Sequence, residues 1–132
     1  MLGSYQQSQL RIEVEASQKA IGDSLLRPRQ LQQWLSPLRL SSGMPEQLES
    51  GLSFTSSIGA VAIGHQVQVV TPICLRFLLS GGIDGFHEWY WGEGWVQSRL
   101  EGISLLPLNL SQTFSLLRLR QFLTSGTSGN FF

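Results

Sequence analysis

Two histidines, His65 and His87, and one cysteine, Cys74, are the side chains of this sequence best suited to acid-base or nucleophilic chemistry near neutral pH. A neutral imidazole both donates and accepts a hydrogen bond, so it suits proton transfer or the orientation of a ligand carbonyl or hydroxyl. His87 stands in FHEWYWGEGWVQSRLEGISL, residues 86 to 105. If Glu93 and Gly94 close a two-residue turn, Gly92 faces Trp95, and the register sets Glu88 opposite Arg99 and Tyr90 opposite Gln97. Those four form a polar outer face with one charge pair. The same register puts Trp91 beside Val96, Trp89 beside Ser98 and His87 beside Leu100 on the other face. An aromatic wall with two polar residues set into it, His87 and Ser98, is the expected inner surface.

The other reactive residues point to less. His65 follows Gly64 at a strand start or bulge, with no carboxylate or second histidine near it in the chain, and is given no catalytic or metal role. Cys74 shares the outward parity of Arg76 and has no adjacent base to activate it. Glu13, Glu15, Glu88 and Glu101 also fall on outward parity, so the paired inward acids of glycoside chemistry are not expected. There is no GxSxG elbow, no HExxH and no Cys/His spacing for zinc. Gly92-Glu93-Gly94 closes a hairpin and opens no helix, so it is not a phosphate loop. No metal, no cofactor and no assigned catalytic residue follow, His87 being the one weak catalytic candidate.

The elements that position this hairpin are legible from periodicity. Leu10, Ile12 and Val14 alternate with Arg11, Glu13 and Glu15, the pattern of a strand with one dry face. Ser17 caps a short helix carrying Ile21 and Leu25, and a second short helix after Arg27-Pro28 carries Leu31, Trp34 and Leu35 until Ser36-Pro37 ends it. Short strands are expected around Leu38 to Leu40 and Gly51 to Ser56. From Ala60 to Leu106 a meander is broken at Thr71-Pro72, Ser80-Gly81-Gly82 and Gly92-Glu93-Gly94. Gln66, Gln68 and Arg76 look outward, which turns Val67, Val69, Leu75 and Phe77 inward. Asn109 to Thr124 reads as the longest helix, with Leu110, Phe114 and Leu117 on one side and Leu116, Leu119 and Leu123 nearly opposite. That breadth suits a helix gripped by a curved sheet.

The order of one strand, two short helices, antiparallel strands and a long C-terminal helix resembles the START-like, or SRPBCC, superfamily of lipid-transfer, birch-pollen-allergen and polyketide cyclase/dehydrase-like proteins. Trp34-Leu35-Ser36-Pro37, Gly51-Leu52-Ser53-Phe54 and GFHEWYWGEGW carry the likeness, which extends from about Gln9 to Leu123. The resemblance implies an α+β helix-grip fold, with a curved antiparallel sheet of six to seven strands around the last helix. It also implies a pocket for a lipid, quinone, pigment or isoprenoid. The residues expected to line it are Val67, Val69, Leu75, Phe77, His87, Trp89, Trp91, Ser98, Leu100, Phe114 and Leu117. A non-catalytic binding or carrier protein is the leading expectation. The alternatives are a cyclase or dehydratase using His87 with Ser98, and an assembly module with a closed pocket, meeting a protein partner through the last helix.

Composition sets the outer bounds. The 132 residues suit one domain, over residues 8 to 124, with loose ends at 1 to 7 and 125 to 132 where Ser, Gly, Gln and Asn concentrate. Lys and Arg total nine, as do Asp and Glu, and Lys19 is the sole lysine, so no basic field draws nucleic acid. A lone cysteine makes no internal disulfide, and no signal-like start or membrane-length apolar run is seen, which gives a cytoplasmic expectation.

Overall fold

The computed structural model describes residues 3–129, and among these the chain forms a seven-stranded antiparallel sheet and three helices. In chain order they are β1 (Ser4–Glu13), α1 (Gln18–Leu26), α2 (Pro28–Leu35), β2 (Arg39–Leu40), β3 (Ser53–Ile58), β4 (Val61–Thr71), β5 (Cys74–Gly81), β6 (Ile83–Gly92), β7 (Trp95–Ser104) and α3 (Leu108–Gly129). The sheet order is β1-β7-β6-β5-β4-β3-β2, so each meander strand neighbours its successor and β1 returns to pair with the last. This is an open sheet with a long C-terminal helix, a helix-grip-like α+β arrangement.

Local chemistry explains the boundaries. The Ser17 hydroxyl accepts from the Ala20 N–H at 3.1 Å and caps α1. Pro28 occupies the first turn of α2, where its missing N–H costs nothing. At the β6–β7 turn Gly94 has a φ of 78°, in the left-handed region that favours glycine. The Gln6 side chain holds the start of α3: its Oε1 accepts from the Leu108 N–H at 3.0 Å, and its Nε2 donates to the Ser104 and Leu106 carbonyls. β1 begins at Ser4, inside the stretch expected to be loose, and α3 runs on past Thr124 through Gly129. The remainder of the expected loose ends, residues 1–2 and 130–132, lies outside the described residues.

The β6–β7 register is the one that the Glu93-Gly94 turn predicts, from Gly92 opposite Trp95 through His87 opposite Leu100. The outer charge pair is different. Glu88 binds Arg76 across β5 at 2.8 Å, and Arg99 turns to Glu101 at 3.3 Å. Glu88 lies directly opposite Arg99 on one side and Arg76 on the other, and the second contact wins. Cys74, though on the outward parity of β5, is buried, and burial pushes its thiol pKa up.

The core fills the space between the inner face of the sheet and the helices, with Ile21, Leu25, Trp34, Leu75, Trp91, Val96, Leu116 and Leu119 among its members. One side of α3 carries it. Leu108, Gln112, Leu116, Leu119 and Leu123 are buried, whereas Leu110, Phe114 and Leu117 are 62%, 57% and 52% exposed. The sheet is open, and α3 packs on β1, β7, α1 and α2 along a single face. The expected two-sided grip is therefore corrected to a one-sided one, and Phe114 and Leu117 face away from the sheet.

Candidate functional site

The inner face of the sheet is aromatic, as the alternation implies, and its polar residues are joined in a network. Trp89 and Trp91 alternate inward on β6, and Ser98 and Leu100 inward on β7; all four are buried. His87 Nε2 lies 2.6 Å from Ser98 Oγ. Ser98 Oγ is in turn 2.9 Å from Gln112 Nε2, which also donates to the Ser98 carbonyl at 2.8 Å and the Ser8 carbonyl at 3.2 Å. The Ser8 hydroxyl donates to Gln112 Oε1 at 2.6 Å. Four polar side chains from β6, β7, α3 and β1 thus meet in an apolar setting, each supplied with partners as burial requires.

His65 belongs to the same inner face. It sits within β4, not at a strand start, and its ring stacks on Phe54 with centroids 4.8 Å apart and on the edge of Phe77 at 5.1 Å. Its Nε2 is 3.0 Å from Ser56 Oγ, while Nδ1 is buried without a hydrogen-bond partner. A second histidine is close after all: Phe77, against which the His65 ring packs, lies directly opposite His87 in the β5–β6 register. Burial drives the His65 pKa down to about 4. Burial, then the charge of His65, drives that of His87 down to about 3. Both rings are neutral at pH 7.

The residues assigned to the pocket from sequence divide into three groups. Val67, Leu75, Phe77, Trp89, Trp91, Ser98 and Leu100 are buried and face inward. His87 faces inward but retains accessible surface, as do Ile63 and His65 on β4. Val69, Phe114 and Leu117 are exposed and do not point to the inner face. For Val69 the cause is a bulge: Val67 pairs with Phe77 and Val69 with Arg76, so two steps on β4 match one on β5 and the parity reverses.

Gln112 and His65 were not among the sequence-derived site residues. Gln112 is the one polar member of the stripe Leu108, Gln112, Leu116, Leu119 and Leu123, and that interruption is the signal that marks it. His65 carries a parity signal, since it lies two residues from the inward Val67. Two open clefts, of about 770 and 490 Å³, lie beside α2 and α1, and neither touches His87, Trp89 or Ser98. Among the described residues no group of three or more potential ligands stands ready for a metal, and no helix is long and apolar enough to cross a membrane.

An antiparallel sheet facing a long C-terminal helix is a helix-grip-like architecture, and solved structures share that fold. DynU16, a protein of the dynemicin biosynthetic locus, superposes with a TM-score of 0.69 at 19% identity; the match covers 91% of this chain and 48% of that one. This chain therefore spans about half the length of DynU16. CV1439 from Chromobacterium violaceum matches with a TM-score of 0.71 at 17% identity, over 89% of this chain and 96% of its own. The Aha1 dimer from Colwellia psychrerythraea gives 0.62 at 15% identity, over 89% of this chain and 96% of that one. These likenesses, all below 25% identity, show a shared fold. No family model and no curated protein matches the sequence.

Proposed function

We propose that this protein binds a small, largely apolar or aromatic molecule on the inner face of its sheet, at the end where His65 and His87 keep accessible surface. The observation that carries this reading is the linked His87–Ser98–Gln112 cluster, set into a wall of Trp89, Phe77 and Leu100. A ligand site commonly has this make-up, apolar with a few placed polar groups. The middle of the inner face is filled by Leu75, Trp91, Val96 and Leu119, so the bound molecule is small or enters by displacing side chains. Native mass spectrometry of the protein purified from its own host, with extraction of any bound molecule, is the direct test. Co-purification of a lipid, quinone or pigment supports carriage. A clean apo mass, together with titrations of such compounds that leave the tryptophan fluorescence unchanged, refutes it.

The 2.6 Å contact between His87 and Ser98 favours a second reading, catalysis by the pair. Its weakness is physical. A histidine with a pKa near 3 is a poor base at neutral pH, Ser98 has no exposed surface to offer a substrate, and no carboxylate binds the His87 ring among the described residues. Full activity of a His87→Ala variant on any substrate found would remove this reading. An assembly surface built on Leu116, Leu119 and Leu123 is not available, because all three are buried within the monomer. Any protein partner of α3 meets Leu110, Phe114 and Leu117 instead.

A further inference from the structure

Hydrogen-bond donors and acceptors in the buried cluster can be assigned in order. Gln112 Nε2 lies within hydrogen-bond distance of two carbonyl oxygens, those of Ser98 and Ser8, so the amide nitrogen and not the oxygen must face them. Its Oε1 accepts from the Ser8 hydroxyl, which pins the amide from the other side. The nitrogen has only hydrogens to offer Ser98 Oγ, so the Ser98 hydroxyl cannot donate back to it. The partner that remains for the Ser98 proton is His87 Nε2. The alternative, in which Nε2–H donates to Ser98, strands a hydroxyl proton on a residue with no exposed surface, and burying an unpaired donor is costly.

We infer that Gln112 and Ser98 lock His87 as its Nδ1–H tautomer, so that the inner site offers a neutral N–H donor and selects a neutral ligand whose polar end is a hydrogen-bond acceptor such as a ketone or quinone carbonyl. This rests on the ligand-binding reading above and names the chemistry of that site. Nδ1 of His87 has no partner among the described residues, and it is not one of the sealed, unpartnered nitrogens, which are those of His65 and Trp91. On a half-buried residue it therefore keeps some accessible surface, the condition for a small molecule's oxygen to reach it. The depressed pKa keeps the ring uncharged over the physiological range, which removes the attraction that would recruit a carboxylate or phosphate. A cationic headgroup gains nothing from an N–H donor. Gln112 and Ser98 are positioning residues here, and His87 makes the contact.

The test has two independent readouts. Long-range ¹H–¹⁵N imidazole NMR on the wild-type protein reads the tautomer directly; Nδ1–H is expected for His87, giving way to a mixed or Nε2–H population in Ser98→Ala. Chemical-shift titrations then compare 2-methyl-1,4-naphthoquinone with 2-methylnaphthalene, which share a fused-ring carbon skeleton but differ in carbonyls. The quinone is expected to bind roughly tenfold more tightly, the worth of one neutral hydrogen bond, with the ratio falling toward one in Ser98→Ala and in Gln112→Leu. Nε2–H in the wild type overturns the lock whatever binds. Equal affinities for the two probes overturn the selectivity while leaving ligand binding intact. Binding of neither probe, with Nδ1–H present, overturns the ligand class. That result is distinct from a failure of the binding reading itself, which the native mass measurement decides.

Discussion

Acidification from about pH 7.5 to about pH 5 is expected to destabilise this protein through its two largely buried histidines, before the carboxylates contribute. An unfolded histidine titrates near 6.5, whereas His65 and His87 in the folded protein do so at about 4 and about 3. Between those values the unfolded chain takes up protons that the folded one refuses, so stability is full above pH 6.5 and declines as the pH falls. At pH 5 each ring costs about 2 kcal/mol, and the pair about 4 kcal/mol. Asp23, held low chiefly by its hydrogen bond from Lys19, has an ordinary value of 3.8 and contributes only in more acidic solution. With an unfolding slope of about 2 kcal/mol/M in urea, the midpoint should fall by about 2 M between the two pH values. His65→Phe, which preserves stacking on Phe54, and His87→Asn, which leaves Ser98 an acceptor, should each remove about half of that fall. A wild-type midpoint that does not move, or a double variant that keeps the full fall, would refute the assignment of neutral buried rings.

Other expectations follow from burial and close approach. Leu119→Ala should cost about 2–5 kcal/mol in urea unfolding and Leu117→Ala less than about 0.5, because only the first is buried; equal losses would mean that the face of α3 has been misassigned. Gly85 and Gly102 face each other across β6 and β7, and a Cβ added at Gly102 would meet the Asp84 carbonyl as well as Gly85 Cα at 2.9 Å. Gly102→Ala should therefore part the two strands and lower stability by about 1–3 kcal/mol, and an unchanged thermal midpoint would contradict this. Gln112→Leu strips the Ser8 hydroxyl and two Ser98 oxygens of a partner, and a loss of about 1–3 kcal/mol is expected in the same assay.

What could be read from the chain alone was whatever depended on neighbours in sequence. Alternation in β1 and in the β6–β7 hairpin gave the strands, Ser17 and Pro28 marked the helix starts, and one turn dipeptide set the whole register that carries His87, Trp89 and Ser98 inward. Where a long-range partner decided the outcome, the pattern was silent or misleading. The extra residue at Gln68 reversed the parity of Val69, an effect of pairing with β5 that no run of alternating residues reveals. Glu88 had two arginines opposite it and took the one on the other strand.

The last helix shows the division most clearly. Its length, its apolar content and its two leucine-bearing sides are properties of the sequence, because helical spacing is local. Which side is buried is not, since both sides carry enough apolar surface and only the openness of the sheet and the placement of α1 and α2 choose between them. The same holds for the polar cluster. Composition and parity bring His87 to the inner face, but its neutral state comes from burial and then from His65, and its hydrogen-bonding partners are Ser98 and, through it, Gln112 and Ser8, which lie far from it in the chain or on other elements and meet it only when the sheet and α3 close on each other. Electrostatics and buried hydrogen bonds act over distances in space, and those distances exist only in the folded molecule.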